Sequence, residues 1–423
     1  MLRHEGFSKL AGLAQKDWTK ILGWPGYQVW RHEIDEKKKE LKLWVRRKPG
    51  TKKLICSGCG RHRGESHDST EREVRDLPWS EYKATVVIEL YRVRCPDCGP
   101  KIEKVAQLPS KAPFSKRFEE AVGQACESAS ARQVAHRFGL AESTVRAIDL
   151  RYLERWSASR RKPALRQMGV DEIYLGKKTK FVTVVCNLAT GEPLWFGKER
   201  KQESLDEFFR SQLSKGQRGR IEVACVDMWE PFRLRIEEWA PGCKIVYDTF
   251  HIMQHANQAV DEVRRAEFFR KGGWLRELVK GKRWLLLSRW VNLTESQKQM
   301  LNELFKVNRK LLKAYLLKES LDRLWNYLYE GSMLKYLKSW IDQLRWQRLE
   351  PFQKLAQMLL DHLEGILNYC RVKPPLGVVE AVNGNIKMLN RRGRGYKNLR
   401  YLLLKAQRMA ATKTEFVAFR KAA

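Results

Sequence analysis

Three carboxylates and four thiols, scattered along a chain of 423 residues, have the types and spacing to do chemistry. Asp171 stands in Gly169-Val-Asp-Glu172, and Asp227 closes the apolar run Ala224-Cys-Val-Asp-Met228. An aspartate at the end of an apolar strand is costly to half bury unless something cationic pairs with it. If the two strands are neighbours, the carboxylates converge at the strand ends, the usual place for a site in an open sheet. The third, Glu380, heads the stretch Gly377 to Asn398, GVVEAVNGNIKMLNRRGRGYKN, where one acid precedes a dense run of positive charge. There Val379, Val382, Ile386 and Leu389 recur at helical spacing as an apolar stripe, and Glu380, Asn383, Lys387 and Arg391 fall on a neighbouring polar stripe. Packed over the sheet edge, this helix would complete an all-oxygen pocket of Asp171, Asp227 and Glu380 for two hard divalent ions, Mg²⁺ or Mn²⁺. Such a pair suits phosphodiester chemistry, one ion generating hydroxide and the other stabilising the departing oxygen. Lys387, Arg391, Arg392 and Arg394 would hold the backbone being cut. Taken singly, each group also fits a plainer role, as a strand-end ion pair or part of a solvated helix face.

The thiols form two knuckles, Cys56-Ser-Gly-Cys59 and Cys95-Pro-Asp-Cys98, each beside a strand-like run and a glycine. This is the sequence form of a tetrahedral structural zinc site. His62 and His67 lie near enough to substitute for a thiol. A redox dithiol would need a βαβ context, which is missing here. Nine cysteines, an odd number, with no apolar signal core at the N-terminus, favour reduced thiols and a soluble cytoplasmic protein.

The elements that must position these groups change character along the chain. A formal charge of +33, from 82 Lys and Arg against 49 Asp and Glu, points to a polyanionic partner, with nucleic acid ahead of a membrane surface. Membrane spanning is not expected, since no run of about eighteen apolar residues occurs. Tyr27 to Glu33 and Glu40 to Arg47 predict a hairpin, and Lys83 to Arg94 a strand between the knuckles. Helices at Lys116 to Glu127, Ala131 to Arg137 and Glu142 to Glu154, broken at Gly139, have the proportions of a helix-turn-helix. Its third helix would offer Ser143, Thr144 and Arg146 to a major groove, although Ala141 stands where a Ser or Thr cap ordinarily begins such a helix. A plain helical hairpin fits the same pattern. From Leu165 the order βββαβαβα predicts a mixed sheet, with turns at Gly176-Lys-Lys and Ala189-Thr-Gly191. Phe268 to Leu367 reads as packed helices, with apolar positions such as Leu311, Tyr315, Leu316, Leu324 and Leu328.

Together these parts resemble the bacterial insertion-sequence transposases of the ISL-three family, which carry an Asp-Asp-Glu triad on a ribonuclease H-like fold. The resemblance rests on CSGC and CPDC, Arg75-Asp-Leu-Pro78 between them, the helix-turn-helix, GVDEIYLGKK, VDMWEPF, YDTFH and the Glu380 stretch, and it spans nearly the whole chain. It implies an α/β, multidomain protein. Residues 1–110 would be a hairpin and zinc-binding domain, 111–160 the helix-turn-helix, 161–260 the first part of a ribonuclease H-like catalytic core, 261–370 an all-helical insertion, and 371–423 the closing core helix and basic tail. It further implies that Asp171, Asp227 and Glu380 are the metal-binding triad and that the substrate is double-stranded DNA, the terminal inverted repeats of a mobile element and its target. A homodimer or higher oligomer would assemble on DNA at the nucleoid. Asp248 and His251 of YDTFH match the family without a derivable role: they read either as a pair orienting the triad or as a helix cap and a structural histidine. The competing reading is a catalytically inert, zinc-containing DNA-binding regulator derived from a transposase, which would have no reason to keep three carboxylates in register.

Overall fold

A computed structural model of the chain describes residues 14–50, 54–109, 111–161, 163–177, 181–198, 202–270 and 273–420. The expected turn at Gly176-Lys-Lys therefore runs partly outside the described residues. The chain folds as two compact units, one ending at Arg160 and the other beginning at Arg161.

The first unit opens with helix α1 (Gln15–Leu22), followed by β1 (Tyr27–Asp35), β2 (Glu40–Arg47), the short strands β3 (Leu54–Ile55) and β4 (His62–Arg63), then β5 (Ser66–Arg75), β6 (Lys83–Val93) and β7 (Lys101–Ile102). The sheet runs β1-β2-β6-β5, with β7 also on β6. The expected hairpin is present, and β6 lies parallel to β2, so both β3–β4 and β5 sit in the crossover between them. β5 was not legible in the sequence. Among its ten residues only Val74 is both apolar and buried, because an edge strand open to water needs no apolar alternation.

Helices α2 (Lys116–Ser128), α3 (Ala131–Phe138) and α4 (Glu142–Ser159) follow. They close over Phe118, Val122, Cys126, Val134, Val145 and Ile148. Gly139 ends α3 at φ +58°, where a side chain would be strained. Ala141 begins α4 with no side-chain cap. Glu119 is fully buried and holds α2 to α4 by accepting bonds from Arg151 at 2.9 Å and Arg155 at 2.6 Å. The RDLP segment is a strut between sheet and helices. Buried Asp76 accepts from Ser115 Oγ at 2.6 Å and Arg117 Nε at 2.7 Å, and Arg75 lies 4.9 Å over the Phe118 ring.

The second unit is built on strands β8 (Gln167–Tyr174), β9 (Phe181–Asn187), β10 (Glu192–Lys198), β11 (Val223–Val226) and β12 (Lys244–Tyr247), ordered β10-β9-β8-β11-β12. The first three form an antiparallel meander, while β11 and β12 run parallel to β8. Helices α5 (Gln202–Gln212) and α6 (Lys215–Arg218) cross from β10 to β11, and α7 (Glu230–Trp239) crosses from β11 to β12. The expected mixed sheet is present, and its first and fourth strands are neighbours, which is the condition for Asp171 and Asp227 to converge.

After α8 (Thr249–Arg270) come α9 (Gly273–Val279), α10 (Arg283–Leu287), α11 (Glu295–Val307), α12 (Arg309–Asp322), α13 (Glu330–Asp342), α14 (Glu350–Asp361), α15 (Leu363–Val372), α16 (Gly377–Arg392) and α17 (Leu399–Arg420). α9 to α15 are wholly helical, as the composition implied, yet they share one continuous core with the sheet face formed by Met168, Val170, Ala224 and Val226. Leu311, Tyr315 and Leu324 are buried there, whereas Leu316 and Leu328 face solvent. Asn368 on α15 donates to the Ile245 carbonyl of β12 at 2.9 Å. No helix among the described residues is long and apolar enough to cross a membrane.

α15 reaches β12 only because Gly365 has no side chain. A methyl group there would fall on the ring carbons of Tyr247, itself 4% exposed. Gly365→Ala gains at most about 1 kcal/mol of helix propensity, against an overpacking cost of about 1–3 kcal/mol. The expected net result is a lower thermal midpoint, measured by calorimetry on the full chain.

Candidate functional site

Each site is built from the turns that end its strands. In the first unit the Cys56–Cys59 turn follows β3 and the Cys95–Cys98 turn follows β6, and the two are closed alike. Gly60 N–H donates to the Cys56 carbonyl and Gly99 N–H to the Cys95 carbonyl, both at 2.9 Å, with the two glycines at φ +74° and +70°. A side chain at Gly58 would strike the Cys98 sulfur. All four Sγ atoms lie within 4.8 Å of one another. Cys59 and Cys95 are 3.7 Å apart, which is close to the edge of a tetrahedron with metal–sulfur bonds of about 2.3 Å. His62 and His67 are not part of this group.

Arg63, on β4, is the residue that motif reading missed. Its Nε approaches Cys95 Sγ at 3.4 Å, while Asp97 fixes its Nη2 at 2.6 Å. That bond holds the Cys95 thiol down, to about 6, whereas desolvation and the neighbouring sulfurs push Cys98 up. Four thiols so close cannot all ionise unless a dication compensates them, and soft sulfur donors in a tetrahedral set suit zinc. The expected outcome is one tightly held zinc per chain, lost in Cys95→Ser. Arg63→Met should keep the ion but weaken it roughly 10-fold, as read by competition with a chromogenic chelator.

In the second unit the acidic groups gather where the parallel pairing of β8, β11 and β12 runs out, Asp227 and Asp248 just past β11 and β12 and Asp171 within β8. The β8–β11 register ends at Gly169 opposite Cys225. Asp171 and Asp227 each lie two residues beyond that rung, so pleat alternation returns both to one face. Asp248 follows Tyr247, the last partner of Val226 on β12, and by the same alternation joins them. That face is covered by α16, whose Val379, Val382, Ile386 and Leu389 pack against Ile173, Val184, Cys186 and Cys225. The apolar stripe read in the sequence is thus the docking face.

Three contacts run in order along β8 and α16. A side chain at Gly169 would strike Val379; Asn383 Nδ2 donates to Asp171 Oδ2 at 2.6 Å; and Asn390 Nδ2 donates to the Leu175 carbonyl at 3.1 Å. Glu380 is exposed, one residue past the first contact and one turn before the second. Sequence reasoning placed Asn383 on the polar stripe without giving it a role and passed over Gly169 and Asn390. The regular spacing of two amides seven residues apart was the available signal.

His251, in the first turn of α8, stands 3.6 Å from the other Asp171 oxygen. The Asp171 carboxylate raises it to about 8 against the opposing effect of burial, with Asp248 and Asp227 adding to the rise. Asp248 caps α8 by accepting from Phe250 N–H at 2.9 Å. Burial raises its carboxyl; that bond and His251 oppose the rise, while Asp171 and Glu380 add to it. Asp227 accepts from Trp229 N–H at 3.0 Å at the start of α7. Three carboxylates therefore act on one histidine, with Glu380 adding its charge beside Asp248, a balance that favours a bound cation. Among the described residues only the thiol group closes to within 4.8 Å, so Asp171, Asp227 and Glu380 stand farther apart than the ligands of a single ion. Carboxylates divided between two ions about 3.5–4 Å apart need no closer spacing. Lys387, Arg391 and Arg394 are exposed on and just beyond α16, and Arg392 is half-buried. On α4, Ser143 and Arg146 are exposed and Thr144 half-buried, with Arg146 held by Glu142 at 2.6 Å.

These features recur in known proteins. A family model described as "Transposase" matches residues 168–406, which span the sheet, the helices after it and α16. The zinc-finger of transposase IS204/IS1001/IS1096/IS1165 matches residues 52–98, and the helix-turn-helix domain of transposase family ISL3 matches residues 103–153. The chain is 33% identical over 401 residues to the transposase for insertion sequence element IS1001 of Bordetella parapertussis, covering 93% of this chain and 97% of that one. It is 25% identical over 376 residues to the transposase for insertion sequence element IS1557 of Mycobacterium tuberculosis, covering 82% and 84%. With its zinc finger, helix-turn-helix and sheet domain each matched in sequence order, the chain belongs to the ISL3 family of transposases.

Proposed function

We propose that this transposase cleaves and rejoins DNA itself, binding the terminal inverted repeats of an insertion sequence and using Asp171, Asp227 and Glu380 as the metal-holding triad of a ribonuclease H-like core. The observation that carries this reading is the convergence, on one sheet face, of carboxylates from β8, β11 and α16, segments more than fifty residues apart at the least and brought together by parallel pairing and helix docking. The strand order, with an antiparallel meander beside two parallel strands, supports the fold assignment.

Asp171, Asp227 and Glu380 would hold two Mg²⁺ or Mn²⁺ ions, all-oxygen donors being what such ions require. Bound there, the ions supply an activated water or 3′ hydroxyl and charge for the leaving oxygen. The chain's own part is to orient. Asn383 fixes Asp171, Trp229 N–H fixes Asp227, and Asp248 and His251 supply further charge beside them. Lys387 lies two turns beyond Glu380 on the same helix and would draw in the phosphate backbone, as would Arg391, Arg392 and Arg394. Ser143, Thr144 and Arg146 would read the repeat from the major groove.

Asp171→Asn, Asp227→Asn and Glu380→Gln keep shape and remove charge. Each should cut cleavage of a labelled element-end duplex by at least about 100-fold, the loss of several kcal/mol of charge stabilisation, while repeat binding by fluorescence anisotropy stays near wild type. A Glu380→Gln protein that cleaves normally would remove Glu380 from the metal site, whereas a wild-type protein that binds the repeat and never cleaves it would leave the inert regulator as the better reading. Lys387→Ala should slow cleavage and remain metal-dependent.

The DNA contacts separate by salt. Arg146→Ala should cost about 1–3 kcal/mol on the repeat and little on random duplex, whereas neutralising Arg391 should weaken both alike and reduce the salt slope by roughly one. Equal losses on both duplexes for Arg146→Ala would remove α4 from base reading.

A further inference from the structure

We infer that Asn383 is a positioning residue for the metal site, holding the Asp171 carboxylate in its ligating orientation through a neutral hydrogen bond; the inference rests on the triad reading above. Its Nδ2 donates to Asp171 Oδ2 at 2.6 Å across 212 residues of chain. The residue is 6% exposed, and its Oδ1 is buried with no hydrogen-bond partner. Turning the amide over would set oxygen against carboxylate oxygen, so the donor must face Asp171. A buried acceptor left without a partner is a cost to the fold that an apolar side chain of the same size would avoid. The polar residue is therefore explained by what its other end does.

The chemistry favours an amide at this point. Asp171 faces His251 with one oxygen and Asn383 with the other. An arginine or lysine in place of Asn383 would fix the carboxylate but cancel the charge that a divalent ion needs. A neutral donor fixes one oxygen and leaves the charge intact. Asn383 also stands three residues after Glu380, so the same bond that turns Asp171 sets where Glu380 falls along β8. Asn390 anchors the helix a second time, to a backbone carbonyl rather than to a carboxylate.

The experiment is a titration of DNA-free full-length protein with Mn²⁺, followed by electron paramagnetic resonance of the free ion, together with thermal melts and cleavage assays. Asn383→Leu is expected to weaken Mn²⁺ binding roughly 10- to 100-fold, keep the thermal midpoint of the wild type or raise it, and cleave poorly with partial recovery at high Mn²⁺. Asn390→Leu removes a helix anchor without touching the carboxylate and should bind Mn²⁺ within about twofold of wild type. The inference is overturned if Asn383→Leu binds Mn²⁺ like wild type, or if Asn390→Leu loses as much affinity as Asn383→Leu, which would make helix docking the cause. Should Asn383→Leu melt early, Asn383→Ser decides: it cannot reach Asp171, so a native midpoint with native Mn²⁺ affinity would overturn the inference equally. Asp171→Asn and Glu380→Gln run beside these variants. If they too bind Mn²⁺ normally, the triad reading itself fails; if they lose it while Asn383→Leu does not, only the role of Asn383 falls.

Discussion

Like charges gathered in a half-buried place repel one another and lose hydration, and the second unit is arranged around holding several of them together. Asp227 and Asp248 follow the parallel strands β11 and β12, Asp171 lies within β8 just past its last rung with β11, and Glu380 adds its charge beside Asp248 from α16. Each aspartate is given a donor that does not cancel its charge: the amide of Asn383, the backbone N–H of Trp229 and the backbone N–H of Phe250. The backbone donors sit at the starts of α7 and α8, where unpaired N–H groups are available and the helix dipole favours negative charge. β11 and β12, each followed by a helix, thus supply the acid and its donor in a single turn, whereas Asp171 on β8 takes its donor from α16.

The first unit solves a related problem with sulfur. Two turns of the same form bring four thiols within tetrahedral reach, and Arg63 supplies one fixed cation beside them. Elsewhere in the same unit buried acids are paired with arginines outright: Asp76 with Arg117, Glu119 with Arg151 and Arg155, and Glu103 with Arg47. These pairs tie elements together and are consumed in doing so. The contrast lies in the partners: an acid matched by arginine has its charge spent, while Asp171 meets the neutral amide of Asn383 and a single histidine.

The helical region between α8 and α16 is less separate than its composition suggests. α15 lies on β12 through Gly365 and Asn368, and the helices share one apolar core with the sheet. It therefore braces β12, the strand that leads into Asp248. Its exposed Leu316 and Leu328 show the limit of reading burial from hydrophobicity along a helix whose partners are unknown.

The sequence by itself determined whatever depends on local period and on residue type. The two knuckles, the three helices around Gly139, the βββαβαβα order and the apolar stripe of α16 all follow from spacings within about twenty residues, over which side-chain direction is set by the backbone alone. It also singled out Asp171, Asp227 and Glu380 as acids in unusual places. Strand β5 escaped, because a solvated edge strand carries no apolar alternation. The capping of α8 by Asp248 is local and was one of the two roles read for it; tertiary structure decided the rest: that His251 stands beside Asp171, that Gly169 admits Val379, that Asn383 reaches Asp171, and that Arg63 reaches Cys95. Those are contacts between side chains far apart in the chain, fixed by strand register and helix docking, and no period within either segment encodes its partner in the other.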